Sequence, residues 1–83
     1  MLTPELDDFI RRAETIYEQG LAGLLEPEHR NEFVAIEPES GSYFLGRTLT
    51  EAMRAARDKY PDRLSHAMRV GHKTALHLGG QMK

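Results

Sequence analysis

The stretch from Glu32 to Arg63, EFVAIEPESGSYFLGRTLTEAMRAARDKYPDR, constrains this chain more than any other. It reads as strand, turn, strand, capped helix and stop. Phe33-Val34-Ala35-Ile36 and Tyr43-Phe44-Leu45 are short unbroken apolar runs, the pattern of strands covered on both faces. Between them, Pro38-Glu39-Ser40-Gly41 is turn chemistry: Pro presets φ, and Gly accepts the positive φ that closes the turn. Setting Glu37 opposite Ser42 defines the register. Ile36 then faces Tyr43 and Val34 faces Leu45 on one side of the sheet, while Phe33, Ala35 and Phe44 share the other. A slip of one residue would exchange the two sets.

Thr48-Leu49-Thr50-Glu51 has capping-box spacing, with Thr48 as N-cap. Leu49, Ala52, Met53, Ala56 and Tyr60 form a single apolar stripe, and Pro61 ends the helix. Upstream, Thr3 caps and Pro4 opens an amphipathic helix predicted over 4–25. Its stripe is Leu6, Phe9, Ile10, Ala13, Ile16, Tyr17, Leu21 and Leu24. Gly20 and Gly23 weaken this helix beyond Gln19, and Pro27 is predicted to terminate it. Downstream, Ser65 to Gly71 alternates as a half-buried strand, with His66, Met68, Val70 and His72 on one face and Ala67 and Arg69 on the other. Thr74 to Leu78 is a predicted fourth strand, and 79–83 a frayed tail.

The order α-β-β-α-β-(β) predicts a single α/β (α+β) domain over 1–83, with a ββαββ core at 32–78. The crossover helix leaves the third strand parallel to the second. The apolar first strand therefore belongs between them, in a mostly antiparallel sheet containing a split βαβ unit. Val34, Ile36, Tyr43, Leu45, Met68, Val70, Leu76 and Leu78 are expected to face the second helix. The opposite face, with Phe33, Ala35, Phe44, Ala67, Arg69, Ala75 and His77, is too apolar to be simply wet. Its expected cover is the N-terminal helix or another protein, a second copy included. Phe33, Phe44, Arg69 and His77 are accordingly the expected partner-binding residues, and a homodimer is the expected assembly.

Composition removes several classes of function. There are no cysteines, which excludes disulfides, thiol catalysis and thiolate metal sites and fits a reducing compartment. Met1-Leu2-Thr3-Pro4 has no basic segment followed by an apolar run, and no stretch approaches the length of a membrane span. A cytoplasmic protein is expected. A chain of 83 residues buries only about 60–65% of its unfolded surface, so its stability margin is thin. Charge is split: residues 1–46 carry three arginines against ten acids, and residues 47–83 carry eight Lys/Arg against three. The basic half supports an alternative reading, nucleic-acid binding through Arg54, Arg57 and Arg69. The pI near 6.1 and the lack of an RNA-binding motif speak against it.

Catalytic patterns are weak. His66, His72 and His77 are the only histidines close enough in sequence to suggest a metal site. Their faces differ, and no HExxH is present, so no metal or other cofactor is expected. Ser40 and Ser42 suit the turn they flank, and no GxSxG elbow exists. Glu37 and Glu39 read as solvated loop acids. Gly46-Arg47-Thr48 is the nearest feature to a phosphate loop and reads as a plain helix cap. The expected function is a non-enzymatic protein-interaction module.

Pro27-Glu28-His29-Arg30, Phe33-Val34-Ala35-Ile36, Gly41, Tyr43-Phe44-Leu45-Gly46, Thr48, Ala52, Tyr60-Pro61 and Arg69-Val70-Gly71-His72 together resemble a group of small bacterial proteins carrying a domain of unknown function. The likeness spans about residues 26–79. It implies a small α/β protein, sometimes encoded beside a larger retropepsin-like or toxin-like partner, and so an accessory or antitoxin-like role. It implies no catalytic residue.

Overall fold

The computed structural model describes residues 3–72. The predicted fourth strand and His77 lie outside the described residues. The elements are α1 (Pro4–Ile16), a π turn (Tyr17–Leu21), α2 (Ala22–His29), β1 (Phe33–Glu37), β2 (Ser42–Gly46), α3 (Leu49–Lys59) and β3 (His66–Arg69). No helix among the described residues is long and apolar enough to cross a membrane.

Local chemistry sets most boundaries. The Thr3 hydroxyl accepts the Leu6 N–H at 3.0 Å, with Pro4 in the first turn of α1. Thr48 caps α3 by accepting the Glu51 N–H at 3.1 Å. The Glu51 carboxylate reaches back one residue further than a capping box requires and accepts the Arg47 N–H at 2.9 Å. Tyr60, held out of helical geometry before Pro61, ends α3.

The first helical arm differs from its prediction in two ways. Ala13, Tyr17, Leu21 and Leu25 are its buried residues and recur every four positions. In a regular helix four residues overshoot a turn by about 40°, so three such steps would carry the stripe about 120° off the sheet. The π turn takes up that drift: the Ala22 N–H bonds the Tyr17 carbonyl, five residues back rather than four. Pro27 does not terminate the arm. It sits inside α2, which runs on to His29 before Arg30 turns the chain away. A proline without an N–H weakens the last helical turn and does not abolish it when the end is this near.

The sheet has strand order β2-β1-β3, both pairings antiparallel. The hairpin register is the predicted one, Glu37 opposite Ser42 and Val34 opposite Leu45. Gly41 closes the turn at φ 78. β2 and β3 run parallel on either side of β1, joined through α3, which is the predicted split βαβ unit.

The helices take opposite faces from those expected. The N-terminal arm, not α3, covers Val34, Ile36, Met68 and Val70, with Leu45 at the margin. α3 covers Ala35, with Phe33, Phe44 and Ala67 packed around Ala52 and Ala56. Hydropathy does not separate the two faces, because both are apolar. What distinguishes the α3 face is its centre: alanines at 35 and 67 on the sheet meet alanines at 52 and 56 on the helix, a seam narrow enough for close approach, with Phe33 and Phe44 flanking it.

Candidate functional site

The predicted partner residues divide between covered and open positions. α3 lies across β2 and β1 and touches β3 only lightly. Phe44 is half-buried beneath it, edge-on to Tyr60 with ring centres 6.2 Å apart. Phe33, also half-buried, is paired with Arg69 on β3, the strand that α3 touches least. The Arg69 guanidinium lies 5.5 Å above the Phe33 ring, and its Nε donates to the Asn31 carbonyl at 3.2 Å. A half-buried aromatic ring roofed by an exposed cation therefore forms an open corner beside α3.

Behind this corner runs a polar seam. Residues 29–32 and 69–72 are distant in sequence and tied together in space. The Asn31 N–H donates to the Val70 carbonyl at 2.9 Å, and the Val70 N–H to the Glu32 carbonyl at 2.7 Å, prolonging the β1–β3 ladder. Asn31 holds a φ of 76, in the left-handed region that Asn tolerates best among non-glycine residues. Its side-chain oxygen is 2.6 Å from His72 Nε2. The buried Tyr17 hydroxyl donates to Glu26 at 2.8 Å and accepts the Gly71 N–H at 3.0 Å. Burial pushes this phenol above its ordinary pKa; the Gly71 bond opposes the shift and Glu26 adds to it.

Glu37 is the clearest departure from the sequence reading. It is not a solvated loop acid; it is only 1% exposed. Its carboxylate accepts the Glu39 N–H at 3.1 Å, the Ser40 N–H at 2.8 Å and Arg63 Nη1 at 3.2 Å. Burial alone would raise its pKa, but the bonds from Ser40, Glu39 and Arg63 outweigh burial and hold it below the ordinary range. A hollow of about 210 Å³, walled by Phe9, Arg12 and Leu64, opens onto this pair.

The histidines are not gathered. His66 faces the N-terminal arm, edge-on to Phe9 at 6.3 Å, whereas His72 sits at the Asn31 seam. Among the described residues, no three His, Asp or Glu side chains are placed to hold a metal ion. His66 Nε2 is buried with no hydrogen-bond partner among the described residues, and burial lowers its pKa against the opposing pull of Glu14. A folded-state pKa below the ordinary 6.5 means that the unfolded chain takes up the proton first. Stability is therefore full above pH 6.5 and falls as pH drops from there through the lower folded value. Urea unfolding at successive pH values should show this loss in the wild type and its removal in His66→Leu.

On the outer face of α3, Arg54 and Arg57 are exposed and make no ion pair among the described residues. Comparison with family models, with curated proteins and with solved structures finds no match for the chain. Sequence reading singled out Phe33 and Arg69 and placed them correctly on one face. It missed Asn31, Tyr17 and Glu37. The Asn31-Glu32 pair before an apolar strand was a signal of a left-handed entry; nothing local distinguishes Glu37 from an ordinary turn acid.

Proposed function

We propose that the chain is a non-catalytic protein-interaction module, accessory or antitoxin-like, that receives its partner at the Phe33–Arg69 corner. The observation that supports this is the half-buried Phe33 ring beneath the exposed guanidinium of Arg69, which stands on β3, the strand that α3 touches least. Aromatic and arginine side chains together are what interface centres favour. Retention of source-cell proteins on immobilised wild-type and Arg69→Glu chains tests it. A protein held by the wild type and reduced at least about tenfold by Arg69→Glu is the expected outcome for an anchor of this kind. Equal retention on both, with unchanged circular dichroism, removes the corner.

A second reading has one observation in its favour. Arg54 and Arg57 are unpaired among the described residues, and α3 packs on the sheet face that carries Arg69. A cationic surface of this kind suits a phosphate backbone. Fluorescence polarisation with short oligonucleotides at low and moderate salt decides it: three phosphate contacts demand a steep salt dependence, and its absence ends this reading.

A further inference from the structure

β2 is an edge strand without the features that keep edges apart. Ser42–Gly46 has no charged residue and no proline. Its ladder with β1 runs through five consecutive pairs without a bulge. Its outer side meets no strand among the described residues. Such an edge is a template for another strand.

The segment is also complementary to itself. Antiparallel pairing with a second copy, centred on Phe44, sets Tyr43 opposite Leu45 of the other copy, and does so twice. Tyr43 and Leu45 stand opposite Ile36 and Val34, on the face of the N-terminal arm. That arm contacts β1 and β3, and β2 lies at its margin. Tyr43 is 37% exposed as a result, and Leu45 is half-buried. The two-fold arrangement brings these four side chains into one apolar strip.

Charge complementarity extends the match beyond the strand. In the same register Arg47 falls opposite Gly41 of the other copy and diagonal to its Glu39. Arg47 is exposed and has no ion pair among the described residues. The Glu39 side chain is 65% exposed and, among the described residues, has one ion-pair partner, Arg63 at 3.8 Å. Each copy thus offers an unpaired cation where the other offers a loosely held acid.

We propose that the chain forms a two-fold dimer by antiparallel β2–β2 pairing, joining two three-stranded sheets into one of six strands. A second copy fits better than a foreign peptide, because both the apolar pairing and the charge pairing repeat under the two-fold. This goes beyond the docking corner, which uses β3 and leaves β2 unused.

Sedimentation velocity of the full chain from about 1 µM to about 1 mM tests the proposal. A monomer–dimer equilibrium is expected. Tyr43→Lys should weaken it by about 10- to 100-fold with unchanged circular dichroism, since each interface then carries two buried-edge charges. Arg47→Glu should weaken it by a few fold, and adding Glu39→Arg should restore it. A monomer at every concentration overturns the proposal. So does a dimer indifferent to Tyr43→Lys, or a charge swap that fails to rescue. Arg69→Glu should leave the dimer intact; a dimer lost in that variant places self-association at the corner instead and overturns the β2 pairing.

Discussion

Gly46→Ala is expected to lower the free energy of unfolding by about 3 kcal/mol, a methyl group forced into a closed seam. A Cβ at Gly46 would lie 2.5 Å from the Ala52 nitrogen and 2.8 Å from the Glu51 Cβ. The first of these atoms is backbone in the opening turns of α3, and neither can swing aside as the tip of a long side chain could. The strand and the helix must separate, and the alanine seam formed by Ala35, Ala52 and Ala56 opens with them. In a domain of this size the loss corresponds to a melting point lower by roughly 12–24 °C. Gly20→Ala is the control: nothing lies within 4 Å of a Cβ there, and it should be neutral or stabilising by up to about 1 kcal/mol. Thermal melts of the two variants side by side measure the contrast. A Gly46→Ala melt within a few degrees of wild type would show that the helix does not rest on this strand as described.

The second large effect belongs to Glu37. Glu37→Leu removes the acceptor for the Glu39 and Ser40 amides and for Arg63 at one stroke. Arg63, 44% exposed, can turn to water, but the amides sit in a tight turn against a buried residue. A loss of about 2–4 kcal/mol is expected, and about half of it for Glu37→Gln, which keeps one carbonyl acceptor. The pH dependence carries the sign. The folded carboxyl titrates below its ordinary 4.5, so the unfolded state binds the proton first. The stabilisation is present above pH 4.5 and is lost as pH falls through the lower folded value. Denaturant unfolding between pH 7 and the acid limit should show Glu37→Gln losing part of the wild-type slope below pH 4.5. An unchanged slope would mean that the carboxylate is not the group held by the turn.

The hairpin and Glu37 mark where sequence reading succeeded and where it stopped. The hairpin register was legible because three constraints agreed: two apolar runs, a four-residue turn closed by Gly41, and a side-chain period of two. The central position of β1 was legible from its hydropathy and from the crossover helix, which leaves the third strand parallel to the second. The helix cap at Thr48 and the stop at Pro61 are local chemistry and needed no tertiary information. The side of the sheet that α3 occupies was not legible, because Phe33 and Phe44 argue for cover as strongly as Val34 and Ile36 do. The small residues at the centre of the α3 face, Ala35 and Ala67 against Ala52 and Ala56, are a packing feature to which hydropathy is blind. Glu37 was misread for the converse reason: a carboxylate can be buried when backbone amides two and three residues on turn toward it, and that is a property of the folded turn. The Phe33–Arg69 corner was half visible, since alternation put both residues on one face, but nothing in the sequence said that α3 would rest on β2 and β1 and touch β3 only lightly.

The five-residue turn at Tyr17–Leu21 bears on how this chain tolerates change in length. The arm is tied to the strands by the Tyr17 hydroxyl and the Asn31 backbone, and its buried stripe lies against the sheet. Removing one residue upstream of Leu21 but outside the wide turn would swing the two sides of the arm against each other by about 100°. Leu21 and Leu25 would then point to solvent, and Asn31 would miss Val70. Only at the wide turn is there slack: a deletion there could tighten it to ordinary winding, though the four-residue spacing of Leu21 and Leu25 would then work against the sheet. The arm thus behaves like a shaft fitted with a single adjusting shim, whose thickness fixes the angle at which all later parts meet.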